Sequence, residues 1–246
     1  MDLGDIYLVT DRLETASATD VTRAERELGC RFPTGYAEYV QRLGRGSLNG
    51  FVRVMVPGQI VAVLADWRAT WHEYWFWDDP ESAADQHHIS GAVPVADTYS
   101  GDELWFHPED PDTVIVLPRD SDRSYAVGSG LDGAIDWVFS SGVLLEPSGG
   151  RLAFESHIGR KHVRRESPSA DVASVRDALL ALGLHALVHQ FHDKHYVLYF
   201  PSIKGRVVLM DDPDGVVVLI VHDDGVASSS LTVIQSALER GGVPFG

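Results

Sequence analysis

Four histidines, His185, His189, His192 and His195, recur at spacings of four, three and three residues. On a helix the first three would share a face and offer imidazoles to a zinc ion. The flanking residues argue for a strand: Gly183 closes the preceding helical pattern, and Val188, Phe191 and the run from Tyr196 to Phe200 are mostly β-branched or aromatic. On a strand, His185 and His189 would share a face about 13 Å apart, too far to chelate one ion together. No cysteine and no HExxH motif accompany them. The run Asp211, Asp212, Asp214, Gly215 resembles the start of a calcium loop, but the spaced ligands and the closing glutamate are missing, and a hairpin turn explains it better. Asp97, Asp102 and Glu103 offer carboxylates for acid–base work, and are read as turn-forming, solvent-facing residues. There is no GxxxxGK[ST] loop, no GxGxxG opening a helix and no GxSxG elbow. The expectation is a protein that is not an enzyme, with no metal and no cofactor.

A different chemistry is concentrated between residues 67 and 85. Trp67, Trp71, Tyr74, Trp75, Phe76 and Trp77 fall within eleven residues, and four of the chain's six tryptophans are among them. Trp67, Trp71, Tyr74 and Trp75 have helical spacing, so packing on a sheet accounts for them. Their density also suits an interface, where indole buries a large area at low entropic cost. Asp78, Asp79, Glu81 and Asp85 follow at once. Aromatic anchors beside carboxylates fit a basic protein partner. The expected contact residues are Trp67, Trp71, Tyr74, Trp75 and Trp77 with these four acids. His87 and His88, next in line, read as a solvated pair in a polar loop.

The charge distribution points the same way. Net charge is −16. Residues 1–149 hold 25 carboxylates against 10 arginines and no lysine, whereas residues 150–246 hold 11 against 10. A surface so negative repels nucleic acid and anionic membrane and attracts basic proteins. Solubility alone is the simpler account of such an excess. The one concentrated basic stretch, HIGRKHVRR from His157 to Arg165, suggests nucleic acid or docking onto the acidic module, and docking is preferred. The single cysteine, Cys30, excludes an internal disulfide and reads as a small buried apolar residue. No apolar run is long enough for a membrane span. The acidic start, MDLGDIYLVTDRLE, lacks the basic region of a signal peptide, so a cytoplasmic location is expected.

These residues need elements to hold them. The stretch from Glu25 to Gly50 reads as the end of one helix, a break at Cys30 to Phe32, a second helix with Pro33 just inside it, and a Gly-rich exit. The first helix starts near Thr19 and Asp20. Strands follow at Phe51–Val56, Ala92–Ala96, Glu103–Phe106 and Thr113–Leu117, with a helix of two or three turns over Gln59–Ala69 and another over Leu131–Phe139. Glu146 to Gly150 has no apolar residue and is the linker candidate. Beyond it come a helix from Ser167 to Gly183, four strands joined by short turns, and a final helix over Leu231–Arg240.

The run Glu25, Leu28, Gly29, then Phe32, Pro33, Tyr36, then Leu43, Gly46, Asn49 and Gly50 resembles the SUKH superfamily, also called the Smi-Knr family. The segments Val93–Asp97, Gly101–Leu104 and Ala134–Val138 resemble its central strands and last helix. The resemblance covers roughly residues 15–145. Many bacterial members are immunity proteins of polymorphic toxin systems. The fold class implied is α+β: a SUKH-like mixed helix and antiparallel-sheet domain over 1–148, followed by a small α-β-β-β-β-α module over 149–246. The implied function is a protein-binding, immunity or antitoxin-like module that occludes a basic toxin domain of the nuclease or deaminase class. Two rival readings are a scaffold that forms homo-oligomers and a small metal-dependent hydrolase using the C-terminal histidines.

Overall fold

The computed structural model describes residues 2–147, 150–192 and 194–245. In chain order the elements are β1 (Tyr7–Leu8), α1 (Ala18–Leu28), α2 (Tyr36–Arg42), β2 (Gly46–Leu48), β3 (Val52–Val54), α3 (Pro57–Glu73), β4 (Val93–Thr98), β5 (Glu103–His107), β6 (Asp110–Leu117), β7 (Tyr125–Val127), α4 (Gly130–Ser140), β8 (Ala153–Ser156), β9 (Arg160–Ser167), α5 (Val172–Leu180), β10 (Leu187–His192), β11 (His195–Phe200), β12 (Gly205–Asp212), β13 (Gly215–Asp223) and α6 (Ser228–Arg240). Short 3-10 helices lie at Gln86–Ser90 and Pro201–Ile203. The fold is α+β, as expected. The chain separates into two units, Met1–Ile6 with Leu13–Pro147 and Tyr7–Arg12 with Ser148–Gly246. Two residues of the expected linker, Ser148 and Gly149, lie outside the described residues.

In the first unit, strands β2 to β7 form an antiparallel meander in sequence order. Helix α1 begins two residues earlier than a cap at Thr19 implies. Ser17 is its N-cap, and its hydroxyl accepts from the Asp20 N–H while the Asp20 carboxylate accepts from the Ser17 N–H. This reciprocal box satisfies two otherwise orphaned donors, which a cap at Thr19 would not. The helix ends on Gly29 in the left-handed region. The Glu25 carboxylate then accepts from the Phe32 N–H at 3.1 Å and holds the break. Pro33 stands outside α2 rather than inside it, because Gly35 at φ +87° is the N-cap. Phe32 stacks on Tyr36 at 4.1 Å and meets Phe106 edge-on, so the break is itself core. Tyr36, Tyr39 and Val40 are wholly buried. Gly44 must be glycine: its φ is +73°, and a Cβ there would run into the Glu14 carbonyl. The Gly-rich exit contains a strand, β2, that the sequence did not reveal, because its three residues are too few for a period. Cys30 is only half-buried.

In the second unit, five strands run in the order β10-β11-β12-β13-β9, all antiparallel. The four expected strands and two helices are present. The fifth strand is the basic stretch, which forms β9 and pairs with β13 from Ser167↔Val216 to Arg160↔Asp223. Its charges hide the strand signal, since only Val163 of Arg160–Arg165 is apolar. Helices α5 and α6 cover one face of the sheet. Val175 and Leu179 of α5, with Ile234 and Leu238 of α6, pack against Leu198, Leu209 and Val218. Asp171 caps α5, accepting from the Ser174 N–H at 2.8 Å. Strands β1 and β8 pair in parallel, Tyr7↔Ala153 and Leu8↔Phe154. The Asp211–Gly215 run is a hairpin turn, with Asp212 opposite Gly215. Among the described residues no helix is long and apolar enough to cross a membrane.

The second unit also buries an ionic triad. The Glu155 carboxylate, 3% exposed, accepts from both Arg160 and Arg206. Replacing it strands two guanidinium groups in a dry site. Glu155→Ala is expected to cost about 3–5 kcal/mol. Native-state hydrogen exchange of the β12 and β13 amides measures this, and a loss below about 1 kcal/mol would show the triad to be solvated.

Candidate functional site

Helix α3 starts with Pro57 in its first turn, where the missing N–H is harmless, and the Val56 N–H donates to the Gln59 side chain at 3.1 Å. It runs one turn past the expected end and stops at Glu73, with Tyr74 as C-cap. The helical spacing therefore fails at Trp75, which lies beyond the helix. From Tyr74 the chain peels away from the helix, and the order of burial decides what it presents. Trp77 is 1% exposed, and its indole N–H donates to the Pro118 carbonyl at 2.8 Å. Phe76 stacks on it at 3.9 Å, and Trp71 and Trp75 meet it edge-on at 5.1 and 5.2 Å. Trp67 is 8% exposed and donates from its indole N–H to Glu103 at 3.0 Å.

The acidic stretch that follows is tied to the turn between β6 and β7. The Asp79 N–H donates to the Asp122 carbonyl, and the Ala83 N–H to the Ser124 carbonyl, both at 3.1 Å. Arg123 pairs with Glu81 at 2.6 Å. Asp85 then caps the Gln86–Ser90 turn, accepting from the His87 N–H and facing His88 Nδ1, each at 2.9 Å. Partial desolvation pushes the Asp85 carboxyl up, but the hydrogen bonds from His88 and from the His87 and His88 N–H groups outweigh it and hold the group below the usual range. His87 and His88 are exposed, but they sit on a short 3-10 helix rather than in a loop.

Between these two segments lies an open cleft of about 470 Å³. Trp75, Asp78, Asp79, Asp85, His87 and His88 are among the residues that line it, with buried Trp77 on its floor. The nine expected contact residues thus divide by position. Trp67 and Trp77 are core. Trp71, Trp75 and Asp79 are half-buried, and Tyr74, Asp78, Glu81 and Asp85 are exposed. Phe76, at 38%, is an exposed aromatic that the helical pattern had left out.

A row of charged side chains crosses three strands of the same sheet, Arg53 on β3 opposite Asp97 on β4, and Asp97 opposite Glu103 on β5. Arg53 grips Asp97 through two hydrogen bonds of 2.6 and 2.7 Å and lies over the Tyr99 ring. Asp102 is buried and accepts from the Thr98 hydroxyl and the Arg119 N–H. The solvent-facing reading of these three carboxylates is therefore overturned. Asp97 and Glu103 lie on strands, and the turn that carries Asp102 folds back onto the sheet; Arg53 bonds Asp97, and its charge also acts on Glu103. Burial pushes the Glu103 carboxyl up to about 7; the Trp67 hydrogen bond opposes this, and the negative charge of Asp97 adds to it. Arg53 and its pairing were not legible, since a lone arginine in a short strand names no partner.

Among the described residues the C-terminal histidines form no common site. His189 is 3% exposed on β10, edge-on to Tyr199, and burial lowers its pKa. His185 lies before the strand, while the His192 side chain and Asp193 lie outside the described residues. Among the described residues no three His, Cys, Asp or Glu side chains are placed to hold a metal ion.

The comparison with protein families bears on the first unit. Residues 15–136 match the SMI1/KNR4 family (SUKH-1). The match covers the helix pair, the whole antiparallel meander and most of α4, so the SUKH resemblance holds over this segment. The family is known for immunity proteins, which bind toxin partners and are generally not enzymes. No curated protein matches the chain. The aromatic and acidic cleft lies inside the SUKH-1 segment, and the second unit lies outside it.

Glu103 makes the SUKH-1 segment sensitive to pH. Its folded pKa, about 7, lies above its ordinary 4.5, so the folded state holds the proton more tightly than the unfolded chain does. The resulting stabilisation is full below pH 4.5 and is lost as pH rises through about 7. Glu103→Gln is expected to flatten this decline. Urea midpoints at pH 5 and pH 8 test it, and an equal fall in wild type and variant would refute it.

Proposed function

We propose that the chain is a binding protein of the immunity type, which captures a basic protein domain at the cleft beside Trp75 and Asp78 and prevents that domain from reaching its own substrate. The single observation that carries this reading is the cleft itself. The half-buried Trp75 indole stands with Asp78, Asp79 and Asp85 around buried Trp77, within the segment that matches the SUKH-1 family. Carboxylates at the rim raise the rate of encounter with a cationic surface, and aromatic anchors slow release. A lysine or arginine side chain entering the cleft meets both ring faces and carboxylates. A basic toxin domain of the nuclease or deaminase class has the required charge, because it must itself bind a polyanion. This reading places the protein in the cytoplasm, where such a toxin would act.

The test is protection in cells. The chain is co-expressed with a basic nuclease or deaminase toxin domain encoded beside its gene, and survival is scored. A variant carrying Trp71→Ala, Trp75→Ala, Asp78→Asn and Asp79→Asn is expected to keep its far-UV circular dichroism and lose protection, with affinity for an inactivated toxin domain reduced at least about a hundredfold, two hot-spot rings and two steering charges being removed. Full protection by a folded variant would reject the cleft as the binding site. Failure of the wild-type chain to bind the neighbouring domain would reject the immunity reading.

A further inference from the structure

The second unit carries a surface of the opposite sign. Strand β9 is the outer strand of the five-stranded sheet and pairs on one side only, with β13. An outer strand presents unpaired backbone N–H and C=O groups to any chain that approaches, and proteins blunt such edges by short length, proline, bulges, cover or charge. In β9 most of these devices are absent. It has eight residues, its pairing with β13 runs through without a register shift, and Pro168 comes only after its end. The opposite edge, β10, does carry an irregularity, between Gln190 and His192. Nor is β9 covered: Lys161, His162, Arg164 and Arg165 are all exposed. Charge alone guards this edge.

The placement of that charge says what it guards against and what it admits. Val163 points to the core side, toward the residues under α5 and α6, so Lys161 and Arg165 flank the edge on that face. Arg165 lies over the Phe245 ring at 5.2 Å. His162 and Arg164 flank the edge on the other face, where Arg160 turns inward to Glu155. Antiparallel pairing of two β9 strands about the centre of Arg160–Ser167 would set Lys161 opposite Glu166 but His162 opposite Arg165 and Val163 opposite Arg164, leaving Arg164 and Arg165 of each copy with no carboxylate across from them. A second copy thus leaves cations unmatched, while an acidic strand finds one beside it on both faces, Lys161 and Arg165 on one and Arg164, which also pairs with Glu166 at 2.7 Å, on the other.

We infer that β9 is a docking edge for an extended acidic segment of another protein, which adds as a sixth strand antiparallel or parallel to Arg160–Ser167. The main-chain ladder supplies the affinity, and the three exposed cations, Lys161, Arg164 and Arg165, supply the selection for carboxylates. This surface is independent of the cleft in the first unit, because no residue is shared between them.

The probe is a fluorescein-labelled eight-residue peptide of alternating Glu and Thr, titrated with the full chain and read by fluorescence anisotropy. Binding is expected to weaken at least about tenfold when every peptide amide is N-methylated at unchanged charge, since the ladder is then lost. A similar loss is expected for the Lys161→Glu, Arg164→Glu variant of the chain, whose circular dichroism and sedimentation should match wild type because both side chains lie on the surface. Three results overturn the inference. Equal binding of the N-methylated peptide shows a charged surface with no strand addition. Tighter binding of an eight-nucleotide oligothymidylate than of the peptide shows a nucleic-acid surface. No anisotropy change with the unmethylated peptide shows an edge that is merely guarded.

Discussion

The cleft depends on one indole. Trp77 stands between the end of α3 and the acidic stretch, and its ring is driven into the core while its N–H finds the Pro118 carbonyl. An indole is too large to bury without opening a gap elsewhere and too polar at nitrogen to bury unpaired. Both conditions are met only if the residues around it take fixed places. Phe76 must stack on one side, and Trp71 and Trp75 must come in edge-on. The chain can then leave the core only along the β6–β7 turn, where Asp79, Ala83 and Ala84 find backbone and hydroxyl partners. The acidic loop is thus a rigid ledge, and its carboxylates are displayed at little entropic cost to whatever meets them.

The two units solve the same electrostatic problem with opposite signs. In the first, one guanidinium, Arg53, lies in a row with two carboxylates, Asp97 and Glu103. In the second, one carboxylate, Glu155, lies between two guanidinium groups, Arg160 and Arg206. The imbalance can be relieved by a proton in the first case but not in the second. A carboxyl near pKa 7 takes up a proton readily, and Glu103 does so in the neutral range. Arginine does not release one under the same conditions. The first unit therefore responds to pH at this row, while the second must hold its triad by geometry and by the Coulomb attraction of both arginines to a single acid.

What the sequence disclosed follows from which interactions are local. The helix pair was legible because its signals, a left-handed glycine and an i, i+4 stripe, act within a few residues. The SUKH-like residues proved to be packing and turn residues: Phe32 and Tyr36 stack, Gly29 caps, and Glu25 bridges the break. They announced the fold and said nothing of the cleft. Helix α3 was read too short because its last turns are held by tertiary packing of Trp67 and Trp71 rather than by helix propensity. The burial of Asp102 and the half-burial of Asp97 and Glu103 were hidden because their partners, Arg53, Thr98, Arg119 and Trp67, come mostly from other elements. Strand β9 was hidden because an outer strand needs only one apolar face, and its charges fill the rest.

These failures share a cause that also bears on function. Charge masks a strand in the sequence, because a strand at an edge or beside a counter-charge need not show an apolar period. The same positions are where charge is held most rigidly, since a strand fixes the direction of every second side chain. Mobile surface charge contributes little to recognition, being screened and costly to order. Charge fixed on a ledge or on a strand edge has already met the ordering cost during folding. In this protein both arrangements occur, carboxylates on a ledge braced by Trp77 and cations along β9. An acidic average over the whole chain conceals two surfaces of opposite sign.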